Sequence, residues 1–198
     1  MRRLPNAILF TVLTLGLFGL VSGCPSNDPA GVYADIQYAV RCEMMGMCPG
    51  TVQRDINGFN GEGALRVTCR VTDSGDQRIL NFSAASGSSY GITITNASFP
   101  RAGGSPGAGC SVTVTDGPNT FTGTCGGAAP SAAQPCQISS VAFTTEVETG
   151  SPLITGQMLC EGLPNRADAT RVREVTGPAA AGGPLTFNIY DCTGYMPD

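Results

Sequence analysis

The stretch CSVTVTDGPNTFTGTC, residues Cys110–Cys125, reads as a β-hairpin. Gly117 at the first central position of a two-residue loop suits a type II′ turn, whose twist matches that of the flanking strands. With Asp116 opposite Asn119, Val114 faces Phe121, Val112 faces Gly123 and Cys110 faces Cys125. Strand side chains alternate between faces, so these six share one largely apolar face. Ser111, Thr113, Thr115, Thr120, Thr122 and Thr124 fall on the other. A one-residue slip would turn the apolar set out to water, which fixes the register. A Cys110–Cys125 disulfide then closes the hairpin.

Similar alternation recurs outward from this hairpin. Leu65, Val67, Cys69 and Val71 alternate with polar residues, as do Leu80, Phe82 and Ala84, then Tyr90, Ile92 and Ile94. On the C-terminal side come Val141, Phe143 and Val147, then Ile154, Met158 and Cys160, and last Leu185, Phe187 and Ile189. Seven or eight half-buried strands separated by Gly, Pro and Ser clusters predict an antiparallel β-sandwich. Ahead of them, Asn27-Asp28-Pro29 resembles a capped helix start, and Val32, Ile36, Val40 and Met44 recur every four residues. That spacing predicts one N-terminal helix over residues 29–45. The fold expected is therefore mostly β, with one N-terminal helix, as a single domain over residues 31–198.

Nine cysteines occur, at 24, 42, 48, 69, 110, 125, 136, 160 and 192. Setting Cys24 aside leaves an even number, which in an exported chain reads as a disulfide framework. Cys42, Cys48, Cys69, Cys136, Cys160 and Cys192 have no pairing deducible from spacing, although Cys42 and Cys48 fall where they could staple the helix end to the sheet. A metal role is disfavoured, since there is no histidine and no Cys-x-x-Cys spacing.

The first 23 residues read as a targeting segment: Arg2 and Arg3, an apolar run over Ile8–Val21, then Ser22 and Gly23. Val21-Ser22-Gly23-Cys24 resembles the lipobox of bacterial lipoproteins. The resemblance implies lipid on the Cys24 thiol, cleavage before Cys24, and an acylated new N-terminus. Residues 24–30 then form the lipidated cysteine and a short linker. Pro25 after Cys24, rather than Asp, points to the outer membrane over the inner one. The expected partners are the membrane, through the lipid on Cys24, and other envelope proteins.

With Arg2 and Arg3 removed, nine arginines and no lysine face fifteen acidic residues, a net charge of −6. Nucleic-acid binding needs a basic stripe and is excluded on that balance. No cofactor motif occurs. Gly87-Ser88-Ser89-Tyr90-Gly91 and Gly103-Gly104-Ser105-Pro106-Gly107 fit the nucleophile-elbow pattern, but no histidine or lysine exists to act as base. Both read as turns.

Val71-Thr72-Asp73-Ser74-Gly75 resembles the Asp-Ser/Thr-Gly signature of aspartic proteases. The resemblance implies a carboxylate-dependent hydrolase built on Asp73, needing a second aspartate from another copy. A turn joining two strands explains the same residues. Asp55–Glu62 offers oxygen ligands for calcium but misses the EF-hand spacing, and reads as a loop with Asn-Gly turns. Glu146 and Glu148, two apart on one strand face, could form a glycosidase pair; an outer solvated face is the plainer reading. Arg166, Arg171 and Arg173 alternate with acids and read as solvated surface. Three readings remain: a non-enzymatic interaction or structural module of the envelope, with the Asp73 hydrolase and a small-ligand or carbohydrate-binding module as its alternatives.

Overall fold

The computed structural model describes residues 31–42, 50–107, 109–178 and 182–197. Eleven strands run β1 Tyr33–Cys42, β2 Val52–Phe59, β3 Leu65–Ser74, β4 Gln77–Ser86, β5 Tyr90–Pro100, β6 Cys110–Asp116, β7 Asn119–Gly126, β8 Cys136–Thr145, β9 Pro152–Pro164, β10 Val172–Thr176 and β11 Leu185–Tyr190. All belong to one hydrogen-bonded sheet, and no helix occurs among the described residues.

The order from one edge is β2, β1, β11 with β10, β9, β8, β7, β6, β5, β4, β3. β11 and β10 share one position end to end: β11 pairs the first half of β9 and of β1, and β10 pairs the second half of each. Every pairing is antiparallel except β7–β8, which is parallel and only two residue pairs long. The inward faces of all the strands merge into a single apolar core.

The hairpin of residues 110–125 has the register Asp116–Asn119, Val114–Phe121, Val112–Gly123 and Cys110–Cys125. Gly117 has φ 58°, the left-handed value that a type II′ turn needs at its first central position. Outside, the registers align Thr68, Ser83, Thr93, Thr113 and Thr122 in one row across β3–β7. Two of the four neighbouring pairs in that row bond each other, Ser83 with Thr93 at 2.9 Å and Thr113 with Thr122 at 3.1 Å. These bonds satisfy hydroxyls of half-buried residues.

In place of the N-terminal helix expected over 29–45, the described residues hold the strand Tyr33–Cys42. Ala34, Ile36, Tyr38 and Val40 all point into the core. A four-residue repeat is a multiple of the strand period of two as well as near one helical turn. Tyr33, Val40 and Ile36 favour the strand through their aromatic or β-branched side chains. Residues 29–30 and 43–45 of that expectation lie outside the described residues.

Two further expectations are corrected. Asp55–Phe59 is no loop but the second half of β2, with Ile56 buried and Asn57 paired to Asp35. Val147 is 99% exposed, because β8 ends at Thr145. The inward parity of β8 runs Cys136, Ile138, then Val141, shifting where Ser140 takes φ 54°. β5 shifts likewise at Asn96, from Ile92 and Ile94 to Ala97 and Phe99. Each is a bulge, where one extra residue flips the alternation.

Three disulfides join described residues: Cys69–Cys192, Cys110–Cys125 and Cys136–Cys160. Registers place Cys110, Cys125, Cys136 and Cys160 in one row across β6–β9. The short parallel β7–β8 seam therefore has a covalent link on either side of it. Cys42 is also disulfide-bonded, while Cys24 and Cys48 lie outside the described residues. Such a set of disulfides fits an extracellular or periplasmic chain, because reducing compartments keep thiols free.

Candidate functional site

β1 begins, and β2 and β11 end, at one end of the sheet. Register there sets Phe59, Tyr33 and Tyr190 side by side across β2, β1 and β11. Their inward neighbours Gly58, Ala34 and Ile189 are buried, so the three rings stand on the outer face. Tyr33 packs edge-on to Phe59 at 4.9 Å and to Tyr190 at 5.3 Å between centroids. Phe59 is 44% exposed, one of three large apolar side chains so open among the described residues. Unsupported aromatic surface of this kind marks binding sites more often than scattered apolar residues do.

The next outward row on the same strands is Asn57, Asp35 and Asn188. Asn57 links the two rows: it accepts from the Tyr33 hydroxyl at 2.7 Å and donates to Asp35 at 3.3 Å. The face is thus an aromatic row backed by carboxamides and a carboxylate.

The β8–β9 turn forms the facing wall. Glu146, Thr149 and Ser151 join the three rings and Asp191 around an open cleft of about 350 Å³. The Thr149 hydroxyl donates to the Glu146 carboxylate, and the Ser151 N–H donates to the Thr149 hydroxyl at 3.2 Å. Asp191 has left-handed backbone, φ 54°, and its N–H donates to the Pro152 carbonyl at 2.9 Å. That anchor turns the chain just after β11 and sets the Asp191 side chain beside the cleft. Neither the Asp191 carboxylate nor the Tyr190 hydroxyl bonds a described residue.

The electrostatics of the cleft have one sign. Burial first, then the Asp35 carboxylate, raises the Tyr33 pKa, with Glu62 and Asp55 adding to it and the Asn57 hydrogen bond opposing. Burial, then Glu146 and Asp35, raises that of Tyr190. Asp191 is raised by burial. Every full charge acting on these two tyrosines is a carboxylate, and no ion pair to a described arginine neutralises Asp35, Asp55, Glu62, Glu146 or Asp191.

Other residues marked in the sequence lie elsewhere. Asp73 sits at the β3–β4 turn, where its two oxygens face Arg78 at 3.5 Å and Arg101 at 2.6 Å. Arg78 is buried, stacked over Phe143 and Tyr195 at 5.1 Å each. The Asp73 carboxylate therefore anchors a buried cation. Gly87–Gly91 spans the β4–β5 turn, and Gly103–Gly107 lies in the β5–β6 connection. Glu146 and Glu148 are not a strand pair, because both follow the end of β8. Arg173 is half-buried over Phe121 at 5.3 Å rather than solvated. Among the described residues, no three acidic or cysteine side chains converge as a metal site.

Comparison with protein-family models, curated proteins and solved structures gives no match to this chain. The site therefore rests on its own geometry. Sequence reading missed the cleft because it placed Tyr33 in a helix, Phe59 in a loop and Glu146 on an outer strand face. The signal present was the alternation Tyr33-Ala34-Asp35-Ile36-Gln37-Tyr38, which as a strand turns Tyr33, Asp35 and Gln37 outward together.

Proposed function

We propose that this chain is a lipid-anchored, non-enzymatic binding module of the bacterial cell envelope, with the outer face of β2–β1–β11 as its ligand site. The observation that carries the reading is the row Phe59–Tyr33–Tyr190 opening onto an acidic cleft. Aromatic surface with a few convergent polar groups is the usual composition of a ligand site. The sheet is read as a sandwich, β3–β7 packed over β8–β11, β1 and β2. Contacts across the proposed layers support this: Arg78 of β4 lies over Phe143 of β8, and Arg54 of β2 pairs with Asp116 of β6.

The anchor rests on the leader, the lipobox-like Val21–Cys24 and the disulfide set. Tyr33 stands nine residues after Cys24. Fully extended, those residues reach about 30 Å, so the aromatic end of the domain would lie close to the membrane. The outer membrane is the proposed site.

Expression of the full chain in a bacterial host tests the anchor. The protein should enter the membrane fraction with acyl mass on the peptide that begins at Cys24. Cys24→Ala should release it to the soluble fraction. An unmodified Cys24 in membrane-bound protein would overturn the lipoprotein reading. A thermal-shift screen with sugars, amines and metal salts tests the face: Phe59→Ala should reduce whatever shift the intact chain shows.

A further inference from the structure

Resting on the binding face just described, we propose that the cleft between the ring row and the β8–β9 turn takes a quaternary ammonium group, carried on a small molecule or a lipid headgroup. Three features of the cleft select that chemistry. Aromatic faces attract a cation within about 6 Å of the ring centroid through the ring quadrupole. Here three rings are grouped, and the outermost, Phe59, is 44% exposed. The charges around them, Glu146 and Asp191 in the cleft and Asp35, Asp55 and Glu62 behind it, are all negative.

The arrangement discriminates against other ligands. A hard metal ion wants six or more oxygen ligands. The ring wall of this cleft offers no oxygen but two tyrosine hydroxyls, and no metal-type cluster of acids forms among the described residues. A neutral sugar could take donors from the Tyr190 and Ser151 hydroxyls, but it would leave the charges of Glu146 and Asp191 uncompensated. The Glu146 carboxylate already accepts a hydrogen bond from the Thr149 hydroxyl, which holds it in place. A quaternary ammonium asks for no hydrogen bond, only apolar contact and counter-charge. It also gives the Asp191 carboxylate an opposite charge that no described residue supplies.

Calorimetric or NMR titration of the purified full chain with choline tests this, with 3,3-dimethylbutan-1-ol as the neutral molecule of the same shape. Choline should bind and the neutral analogue bind at least ~10-fold more weakly, as expected when charge carries the contact. Phe59→Ala and Asp191→Asn should each weaken choline about fivefold, near the loss of one exposed cation–π or charge contact. Both positions are at the surface end of the sheet, and circular dichroism confirms folding of each variant.

Equal binding of the neutral analogue overturns the cation while leaving the face. Displacement of choline by calcium overturns it in favour of a metal site. No choline binding at any soluble concentration overturns it too. In that case, sugar binding lost in Phe59→Ala would keep the binding face, and no ligand sensitive to Phe59→Ala would remove the face as well. Phosphocholine binding equal to that of choline-lipid vesicles marks a free ligand, and preference for the vesicles marks a headgroup.

Discussion

Cys69 on β3 is bonded to Cys192, 123 residues later in the chain, and backbone pairing surrounds that link. The Thr193 N–H donates to the Cys69 carbonyl at 3.1 Å, and the Val71 N–H donates to the Thr193 carbonyl at 2.9 Å. β3 is the last strand of the sheet, so its outer edge would otherwise present unpaired backbone groups. The C-terminal tail covers that edge, and Tyr195 continues it inward, donating to the Thr144 carbonyl at 3.1 Å.

A cross-link stabilises mainly by restricting the unfolded chain, more so for a longer loop. In that picture Cys69–Cys192 contributes about 5 kcal/mol and Cys110–Cys125 about 3 kcal/mol. Replacing both cysteines of a pair by serine isolates each link. Urea unfolding should show the larger loss for Cys69→Ser with Cys192→Ser. It should also show increased self-association, since the β3 edge is bared. Equal losses for the two pairs would mean that local packing, not loop closure, sets their worth.

The sequence is legible where the structure is local. The 110–125 hairpin is one, because turn type, alternation and a cysteine at either end all agree on a single register. β10 is not, because Val172-Arg173-Glu174-Val175-Thr176 has mixed charge and earns its strand only from β1 and β9 on either side. β1 was ambiguous in principle, since residues four apart share a face in a strand and nearly so in a helix. β2 hid behind Asn57-Gly58, a pair that signals a turn in isolation but here lies within the β1–β2 ladder. The aromatic row is the least legible feature. Phe59, Tyr33 and Tyr190 meet only because β11 returns from the end of the chain to pair with β1, and no short-range pattern encodes that.

Gly156 sits in the core opposite Phe187 on β11. A Cβ there would run into the Phe187 ring and come within 2.8 Å of Val141 Cγ2. Its backbone is not in the left-handed region, so Gly156→Ala tests volume alone. Overpacking of a filled core costs about 1–3 kcal/mol. The midpoint of urea unfolding should fall accordingly, and Gly156→Ala combined with Phe187→Leu should recover part of the loss. No recovery would place the strain elsewhere.

Tyr38 is fully buried on β1, and its hydroxyl has no hydrogen-bond partner among the described residues. An unsatisfied buried polar group costs roughly 1–3 kcal/mol, so Tyr38→Phe should stabilise the fold by about 1 kcal/mol. Burial pushes the Tyr38 pKa far above its usual 10.0, with Arg54 opposing and Asp116 and Tyr90 adding. A raised pKa means stability that is complete below pH 10 and is lost as pH climbs beyond it, because only the unfolded chain can ionise there. Between about pH 10 and 12 the intact protein should therefore lose stability faster than Tyr38→Phe. Parallel pH profiles would show that the hydroxyl is solvated after all.

Asp191 carries the opposite lesson for the cleft. Burial raises its carboxyl pKa above the usual 3.8, and no described donor offsets that. The stability tied to a raised carboxyl is complete below the unfolded value and is lost as pH rises through the folded one, so at neutral pH the ionised group weighs against folding. Asp191→Asn removes the charge with little change in shape. Its melting temperature should exceed that of the intact chain at pH 7, and the gap should close as the pH drops below about 4, where both side chains are neutral. The same variant should bind choline less tightly. A side chain that weakens the fold while strengthening a ligand contact is the trade-off expected of a site kept for function. If the melting gap does not change with pH, the carboxylate charge is not its source, and Asp191 then has no claim as the counter-charge of the cleft.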